Sequence, residues 1–238
     1  MTIASEFNEE VLRIWTRMYD KMTLMPAQYP DNHFEDSLRL LVIGMNPSFG
    51  VGWIQRQISE KLLIQVENAH LIAEEVYQWD PIYGPRNFEH LMKIEMHAFD
   101  EYRRYFGPLR AFSDKVGCLN SYSHLDLFHC RWTNQQTFKR TLFDGRKLSD
   151  FAVAQIDLTR ATLLRIRPKA VVIANAEASR VAVRYLKLEY VDDLQTQCIL
   201  PSLPETRFFL SGMLSGGAMD EFSHRRLVSD VRRYIFNP

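Results

Sequence analysis

The folding pattern of this chain is clearest at residues 38–50, which read Leu38-Arg39-Leu40-Leu41-Val42-Ile43-Gly44-Met45-Asn46-Pro47-Ser48-Phe49-Gly50. The first half is a short apolar run stopped by Gly44 and Pro47, which is typical of a β-strand buried on both faces. The second half is rich in glycine, proline and small polar residues, which suit a backbone that approaches a ligand closely. We therefore expect a buried strand that leads into a binding loop.

Three further segments have the character of strands, at 123–129, 170–175 and 207–211. Long amphipathic stretches, typical of helices, separate them. This alternation predicts parallel pairing through right-handed crossovers, with helices on both faces of the sheet. We expect a three-layer α/β/α fold with a short, mainly parallel four-stranded sheet. It would form a single domain over residues 1–238, with a helical insertion at about 55–116.

Composition limits the classes of partner. Lysine plus arginine equals aspartate plus glutamate, 29 each, so contact with phosphate depends on a local patch. The three cysteines form no C-x-x-C pair, so neither zinc nor an iron–sulfur cluster is indicated, and we expect no metal and no cofactor. The opening residues are amphipathic and acidic and no apolar run reaches ~18–20 residues, so we expect no signal peptide and no membrane span. We expect a soluble monomer without membrane contact, in the cytoplasm, or in the nucleus if the source is eukaryotic.

Ligands of open parallel sheets bind where the carboxyl ends of the strands deliver their loops. Here those loops are 45–52, 129–134, 175–179 and 211–220. In the first loop, Asn46 offers an amide that can orient a water molecule, Pro47 fixes the turn, and Phe49 offers a flat apolar ring. These features together are typical of a corner that binds a nucleobase.

Gly-Met-Asn-Pro-Ser-Phe-Gly at 44–50, directly after a buried strand, resembles the first motif of the uracil-DNA glycosylase superfamily. It is closest to the Gly-x-Asn-Pro-Gly pattern of the mismatch-specific and single-strand-selective branches. Arg-Pro-Lys-Ala-Val-Val-Ile-Ala-Asn-Ala at 167–176 resembles that superfamily's third strand and the following turn, and 207–215 stands where its second motif belongs. The resemblance covers about 40–180 and 205–217. It implies a DNA repair enzyme that hydrolyses the N-glycosidic bond of a flipped base without a cofactor.

The resemblance also implies roles for individual residues. Asn46 would position the attacking water, and Ser211 would stand where the second motif places a catalytic histidine. The residues implied to bind the substrate are Gly44, Met45, Pro47, Ser48 and Phe49 of the first motif, and Asp126, Phe128 and His129 of the second strand.

Two of these positions depart from the family pattern. Asp126 replaces an asparagine that reads the base edge, and an ionised carboxylate only accepts hydrogen bonds, so it favours a base with an amino group over uracil. Ser211 replaces a histidine that donates to the oxyanion on the leaving base, and loss of such a donor costs ~10²–10³ in rate. Either His129 or His224 substitutes for it, or the protein is slow, altered or inactive.

Contacts with DNA are expected from the segment after the fourth strand. Met213 or Leu214, followed by Ser215, corresponds to the loop that wedges into the duplex. Arg225 and Arg226 follow one helical turn after the glycine-rich loop and are candidates for phosphate contact, although arginine also complements a helix dipole.

Simpler interpretations remain open. Asn46-Pro47 is also the pattern of a plain turn that ends a strand, and His124 with Asp126 is also typical of a buried hydrogen-bonded pair. The same fold without catalysis would give an inactive protein that binds a nucleobase or nucleic acid. His129 and Cys130 suggest a thiol-dependent hydrolase of small molecules, although no neighbouring serine or acid completes that device.

Overall fold

The structure, a computed structural model, describes residues 1–18, 24–35, 38–47, 50–57, 77–79, 88–131, 135–214 and 219–237. Contacts between residues divide the chain into two compact units. Unit 1 comprises Met1–Asp31, Asn46–Tyr102 and Phe128–Gln155, and unit 2 comprises Asn32–Met45, Arg103–Leu127 and Ile156–Pro238. The expectation of one domain stays a prediction.

Helices and strands alternate along the described residues. The helices are α1 (Ile3–Met18), α2 (Val51–Gln57), α3 (Phe88–Glu101), α4 (Arg103–Val116), α5 (Gln135–Leu142), α6 (Asp150–Ile166), α7 (Ala176–Ala182) and α8 (Glu221–Phe236). The strands are β1 (Leu40–Gly44), β2 (Tyr122–Asp126), β3 (Phe143–Asp144), β4 (Lys147–Leu148), β5 (Ala170–Ala174), β6 (Glu189–Tyr190), β7 (Gln197–Leu200) and β8 (Leu203–Ser211). Of the helical insertion expected at about 55–116, residues 58–76 and 80–87 lie outside the described residues.

The main sheet lies in unit 2 and has the strand order β2-β1-β5-β8-β7-β6. The pairs β1–β2, β1–β5 and β5–β8 are parallel, whereas β7 pairs antiparallel with both β8 and β6. The four strands expected from the sequence therefore form the parallel part of the sheet. The fold is α/β, as expected.

The prediction of a four-stranded sheet is wrong, because the sheet has six strands and is mixed. The additional strands β6 and β7 are short and lie at one edge, where β6 is exposed and only alternate residues of β7 are buried. Backbone pairing rather than an apolar run defines such strands, so the pattern of buried strands did not indicate them. A two-stranded antiparallel ribbon, β3–β4, stands apart from the main sheet in unit 1.

The alternation of side chains along β1 and β5 builds the core of unit 2. Leu40, Val42, Ala170 and Val172 share a cluster with Phe112 of α4 and with Val231 and Ile235 of α8, so these two helices cover one face of the sheet. Side chains of opposite parity, at Leu41, Ile43, Val171 and Ile173, are also fully buried. Burial on both faces explains why these strands are continuous apolar runs.

Unit 1 has its own apolar cluster, formed by Met25, Ile54, Tyr77, Leu91 and Ile94. Helix α1, which belongs to this unit, buries Phe7, Val11, Ile14 and Trp15. None of the helices in the described part of the chain is both long and apolar enough to cross a lipid bilayer.

Candidate functional site

The carboxyl ends of the four parallel strands meet at one edge of the sheet in unit 2. Gly44 of β1 stands opposite Asp126 of β2, and Ala174 of β5 stands opposite Ser211 of β8. Neighbouring strands are ~4.8 Å apart, so β2 and β8 lie about 14 Å from each other across this edge.

Gly44 and Asp126 form a close contact at the end of β1. A Cβ atom added to Gly44 would lie 2.2 Å from Oδ1 of Asp126 and 2.9 Å from Oη of Tyr105. Gly44 does not have a positive φ, so glycine is needed here for the close approach of a side chain and not for an unusual backbone. The carboxyl group of Asp126 therefore occupies the space that any other residue at 44 would fill.

Asp126 is 1% exposed, and the hydroxyl of Tyr105 on α4 donates a hydrogen bond to its Oδ1 at 3.4 Å. The next residue, Leu127, donates its backbone N–H to the carbonyl of Gly44 at 3.1 Å, which fixes the two strand ends against each other. A buried carboxyl group must find hydrogen-bond donors, because burial of an unsatisfied charge is costly. Tyr105 supplies one donor on the protein side.

The end of β5 has a structural role. Asn175 accepts hydrogen bonds from the backbone N–H groups of Glu177 and Ala178 and so caps the N-terminus of α7. Ser179, in the first turn of α7, donates to the carbonyl of Asn175 at 3.0 Å. The residues that the resemblance places after the third strand therefore begin a helix.

Ser211 at the end of β8 is half-buried, and its hydroxyl donates to the carbonyl of Gly212 at 3.1 Å. This contact competes with donation of the same hydrogen atom to a ligand. This contact weakens Ser211 as a donor to an oxyanion, which has to be preorganised to be effective.

The candidate DNA contacts in the segment after β8 differ in their exposure to solvent. Met213 is 44% exposed, whereas Leu214 packs against the apolar cluster of unit 2. Ser215 lies outside the described residues. Of the two candidates for a wedge, Met213 is therefore the more exposed.

Arg225 and Arg226 are exposed on α8, and Arg225 forms an ion pair with Glu221 one turn earlier. Phe222, in the first turn of the same helix, is 77% exposed. The sequence interpretation missed Phe222, because the spacing of apolar residues indicates the buried face of α8 and a residue outside that spacing attracts no attention.

Asn46 and Pro47 belong to unit 1 and are both half-buried. Nδ2 of Asn46 donates to the carbonyl of Pro47 at 3.2 Å and to the carbonyl of Cys130 at 3.4 Å. These contacts fix the orientation of the amide, with its nitrogen toward the backbone. Met45, the last residue of unit 2 before it, is half-buried as well, whereas Ser48 and Phe49 lie outside the described residues.

Phe128 and His129 are fully buried in unit 1. The ring of His129 packs edge-on against Phe7 at 4.8 Å, and neither ring nitrogen has a hydrogen-bond partner among the described residues. Burial lowers the pKa of His129 to about 3, so the imidazole is neutral at physiological pH. Burial gives both rings a packing role, and their predicted contact with a substrate stays a prediction.

The thiol-hydrolase interpretation gains no support from this geometry. Cys130 is fully buried, which disfavours a thiolate, and the pKa of about 3 makes His129 a weak base for a thiol. His224, the other histidine considered as a donor, packs against Phe112 of α4. Burial, followed by the charge of Lys115, lowers the pKa of His224.

A second buried cluster, which the sequence interpretation did not predict, follows Cys130 in unit 1. Arg131 forms an ion pair with Glu95 of α3, and its guanidinium lies 4.8 Å from the centroid of the Tyr77 ring. Burial raises the pKa of Glu95, and the opposing charge of Arg131 limits that rise. Only the fold brings these three side chains together, since they are far apart in the sequence.

Comparison with protein-family models and with curated proteins finds no match for this chain. Within the residues that the structure describes, no three side chains of His, Cys, Asp or Glu gather closely enough to hold a metal ion.

Proposed function

We propose that this chain is a DNA glycosylase-like protein of the uracil-DNA glycosylase type, with the three-layer arrangement of that superfamily. It would receive a flipped nucleobase at the carboxyl edge of its parallel sheet and hydrolyse the N-glycosidic bond. One observation carries the proposal: the glycine of the first motif, Gly44, adjoins the buried carboxyl group of Asp126. The resemblance assigns these two positions, 82 residues apart in the chain, to one binding site.

Each residue then has a chemical task. Asn46 holds the attacking water. Its amide nitrogen is engaged with the carbonyl of Cys130, so its amide oxygen orients that water. Asp126 accepts a hydrogen bond from the base edge and therefore favours an amino group. Met213 enters the duplex as the base leaves it, and Arg225 and Arg226 contact phosphate groups.

The test is an excision assay with oligonucleotides that contain uracil, hypoxanthine or mismatched bases, adenine among them. We expect abasic sites on at least one substrate, and we expect Asn46→Ala to abolish them. Asn120→Ala, which changes an exposed asparagine in a turn, is the matched control and should retain activity. If no substrate yields abasic sites at enzyme excess, the claim of activity fails.

A second candidate function is binding of a nucleobase without turnover. The contact between the Ser211 hydroxyl and the carbonyl of Gly212 favours it, because this contact competes with donation to a leaving base. Ser211→His distinguishes the two functions. Gain of excision in this variant would show that only the oxyanion donor was missing, whereas unchanged binding without excision would support the non-catalytic protein.

A further inference from the structure

The buried ion pair between Arg131 and Glu95 lies next to the segment that holds Asn46. The side chain of Arg131 is 5% exposed and that of Glu95 is 17% exposed. The Tyr77 hydroxyl donates to Oε1 of Glu95 at 3.2 Å, and its ring lies under the guanidinium. Two charges withdrawn from water in this way hold a defined geometry, because each would be costly to leave without the other.

The backbone before Arg131 is also fixed. The N–H of His129 donates to Oε1 of Gln155 at 2.7 Å, and the carbonyl of His129 accepts from the N–H of Ala27 at 2.8 Å. The peptide of Cys130 therefore lies between a residue held by its backbone and a residue held by its side chain. All of these residues belong to unit 1.

The carbonyl of Cys130 accepts the amide N–H of Asn46 at 3.4 Å. The contact of this amide with the carbonyl of Pro47 is local, since it joins neighbouring residues. The contact with Cys130 links the amide to a segment 84 residues away. The carbonyl of Cys130 is therefore one of the groups that fix where the amide lies within unit 1.

We propose that Arg131, together with Glu95 and Tyr77, positions Asn46 through the carbonyl of Cys130. Arg131 is thus a positioning residue for the water-holding amide. Its catalytic consequence rests on the proposed function, whereas the effect on the amide itself does not.

A purely structural role makes a different prediction. Replacing a buried ion pair by apolar residues of similar volume is often neutral or stabilising, so a pair that only joins α3 to the rest of unit 1 can be exchanged without effect on Asn46. A pair that positions the Cys130 carbonyl cannot be replaced by methionine without effect. Methionine has no planar charged group that would hold residue 131 and, with it, the preceding peptide of Cys130.

The experiment follows the side-chain amide of Asn46 by nuclear magnetic resonance in the full, ¹⁵N-labelled chain, with the signals assigned by their loss in Asn46→Asp. In the double variant Arg131→Met/Glu95→Met we expect both Asn46 signals to shift and their exchange with water to accelerate. The single variant Arg131→Lys keeps a cation beside Glu95, so its Asn46 signals should lie closer to those of the parent than the signals of the double variant do. The control is Arg13→Met/Glu10→Met, which removes an exposed ion pair of α1 in the same unit and should leave the signals unchanged.

A folded double variant with Asn46 signals and exchange rates equal to those of the parent would overturn the proposal. If the double variant does not fold, Tyr77→Phe decides, because it removes only the hydroxyl that donates to Glu95. A smaller shift in the same direction would support positioning, and unchanged signals would refute it.

Single-turnover excision gives the second measurement. We expect the double variant to excise about 100-fold more slowly, with unchanged affinity for the oligonucleotide, because displacement of a catalytic group by ~1 Å costs about that factor. If the parent protein excises no base from any substrate, the proposed function fails. The amide signals then still decide the positioning proposal.

Discussion

Replacing Gly44 with alanine tests the central contact of the candidate site. The added methyl group would lie 2.2 Å from Oδ1 of Asp126, far inside van der Waals contact, and 2.9 Å from Oη of Tyr105. Asp126 is 1% exposed and stands directly opposite Gly44 in the strand pairing, so it has little room to withdraw. The alanine must therefore displace the carboxyl group or part the ends of β1 and β2.

The expected cost follows from two opposing effects. Overpacking of a filled interior costs ~1–3 kcal/mol. Loss of the conformational freedom of glycine in the unfolded chain returns ~0.5–1 kcal/mol, because the backbone at 44 does not require a positive φ. We expect Gly44→Ala to lower the free energy of unfolding by about 1–2 kcal/mol.

Urea unfolding of four proteins measures this effect: the parent, Gly44→Ala, Asp126→Ala and the double variant. In the absence of the Asp126 carboxyl group, alanine at 44 should cost at least ~1 kcal/mol less, which appears as a coupling energy between the two positions. Gly52→Ala is the matched control, since a Cβ there meets nothing within 4 Å on α2, and it should stabilise the protein by ~0.5–1 kcal/mol. Equal stability of Gly44→Ala and the parent, or a coupling energy near zero, would refute the close contact.

Three further perturbations have defined outcomes. Because the folded pKa of His129, about 3, lies below its ordinary 6.5, the unfolded chain binds more protons between these values, and the stability that is complete above pH 6.5 falls as the pH drops toward 3. Urea unfolding at a series of pH values gives the slope of the free energy of unfolding against pH, and His129→Phe should lower this slope by up to ~1.4 kcal/mol per pH unit. An unchanged slope would mean that water reaches the imidazole. Arg225→Ala and Arg226→Ala should each weaken oligonucleotide binding and lower the salt slope of log K by about one. Arg180→Ala, which removes an exposed arginine from an ion pair on α7, should change neither. Asp126→Asn should raise uracil excision relative to that of amino-bearing bases by roughly 10- to 100-fold, and an unchanged ratio would separate Asp126 from base recognition.

The parallel half of the sheet was predictable because its strands are buried on both faces. Leu40–Gly44 and Ala170–Ala174 have no polar side chain, and such runs have few alternatives to a central strand. The strands β6 and β7 were not predictable in the same way, since hydrogen bonds to the backbone of β8 define them and the apolar content of Glu189–Tyr190 is small. The end of β2 was placed three residues too late, because Leu127 to His129 are as buried as the strand itself although they lie outside it.

The candidate site was predictable where a sequence motif specifies a residue type at a fixed position directly after a strand. Gly44 and Asp126 were found in this way, and their contact follows from the parallel pairing of β1 with β2. Tyr105 was not predicted as a site residue. Its spacing to Leu109 and Phe112 indicates a buried helical face, but such spacing does not predict which strand that face packs against. Contacts that depend on which elements become neighbours are beyond the reach of a local pattern.

The two departures from the glycosylase pattern have one chemical consequence under the proposed function. A donor to an oxyanion accelerates the reaction only where the electrons of the broken glycosidic bond reach a carbonyl oxygen. Adenine has an amino group for the accepting carboxylate of Asp126 and has no carbonyl oxygen, so the engagement of the Ser211 hydroxyl with Gly212 costs it nothing. Uracil presents a carbonyl oxygen to that carboxylate and needs the missing donor as it leaves. We therefore expect mismatched adenine to be excised faster than uracil by the parent protein, and the opposite order would show that Asp126 does not read the base.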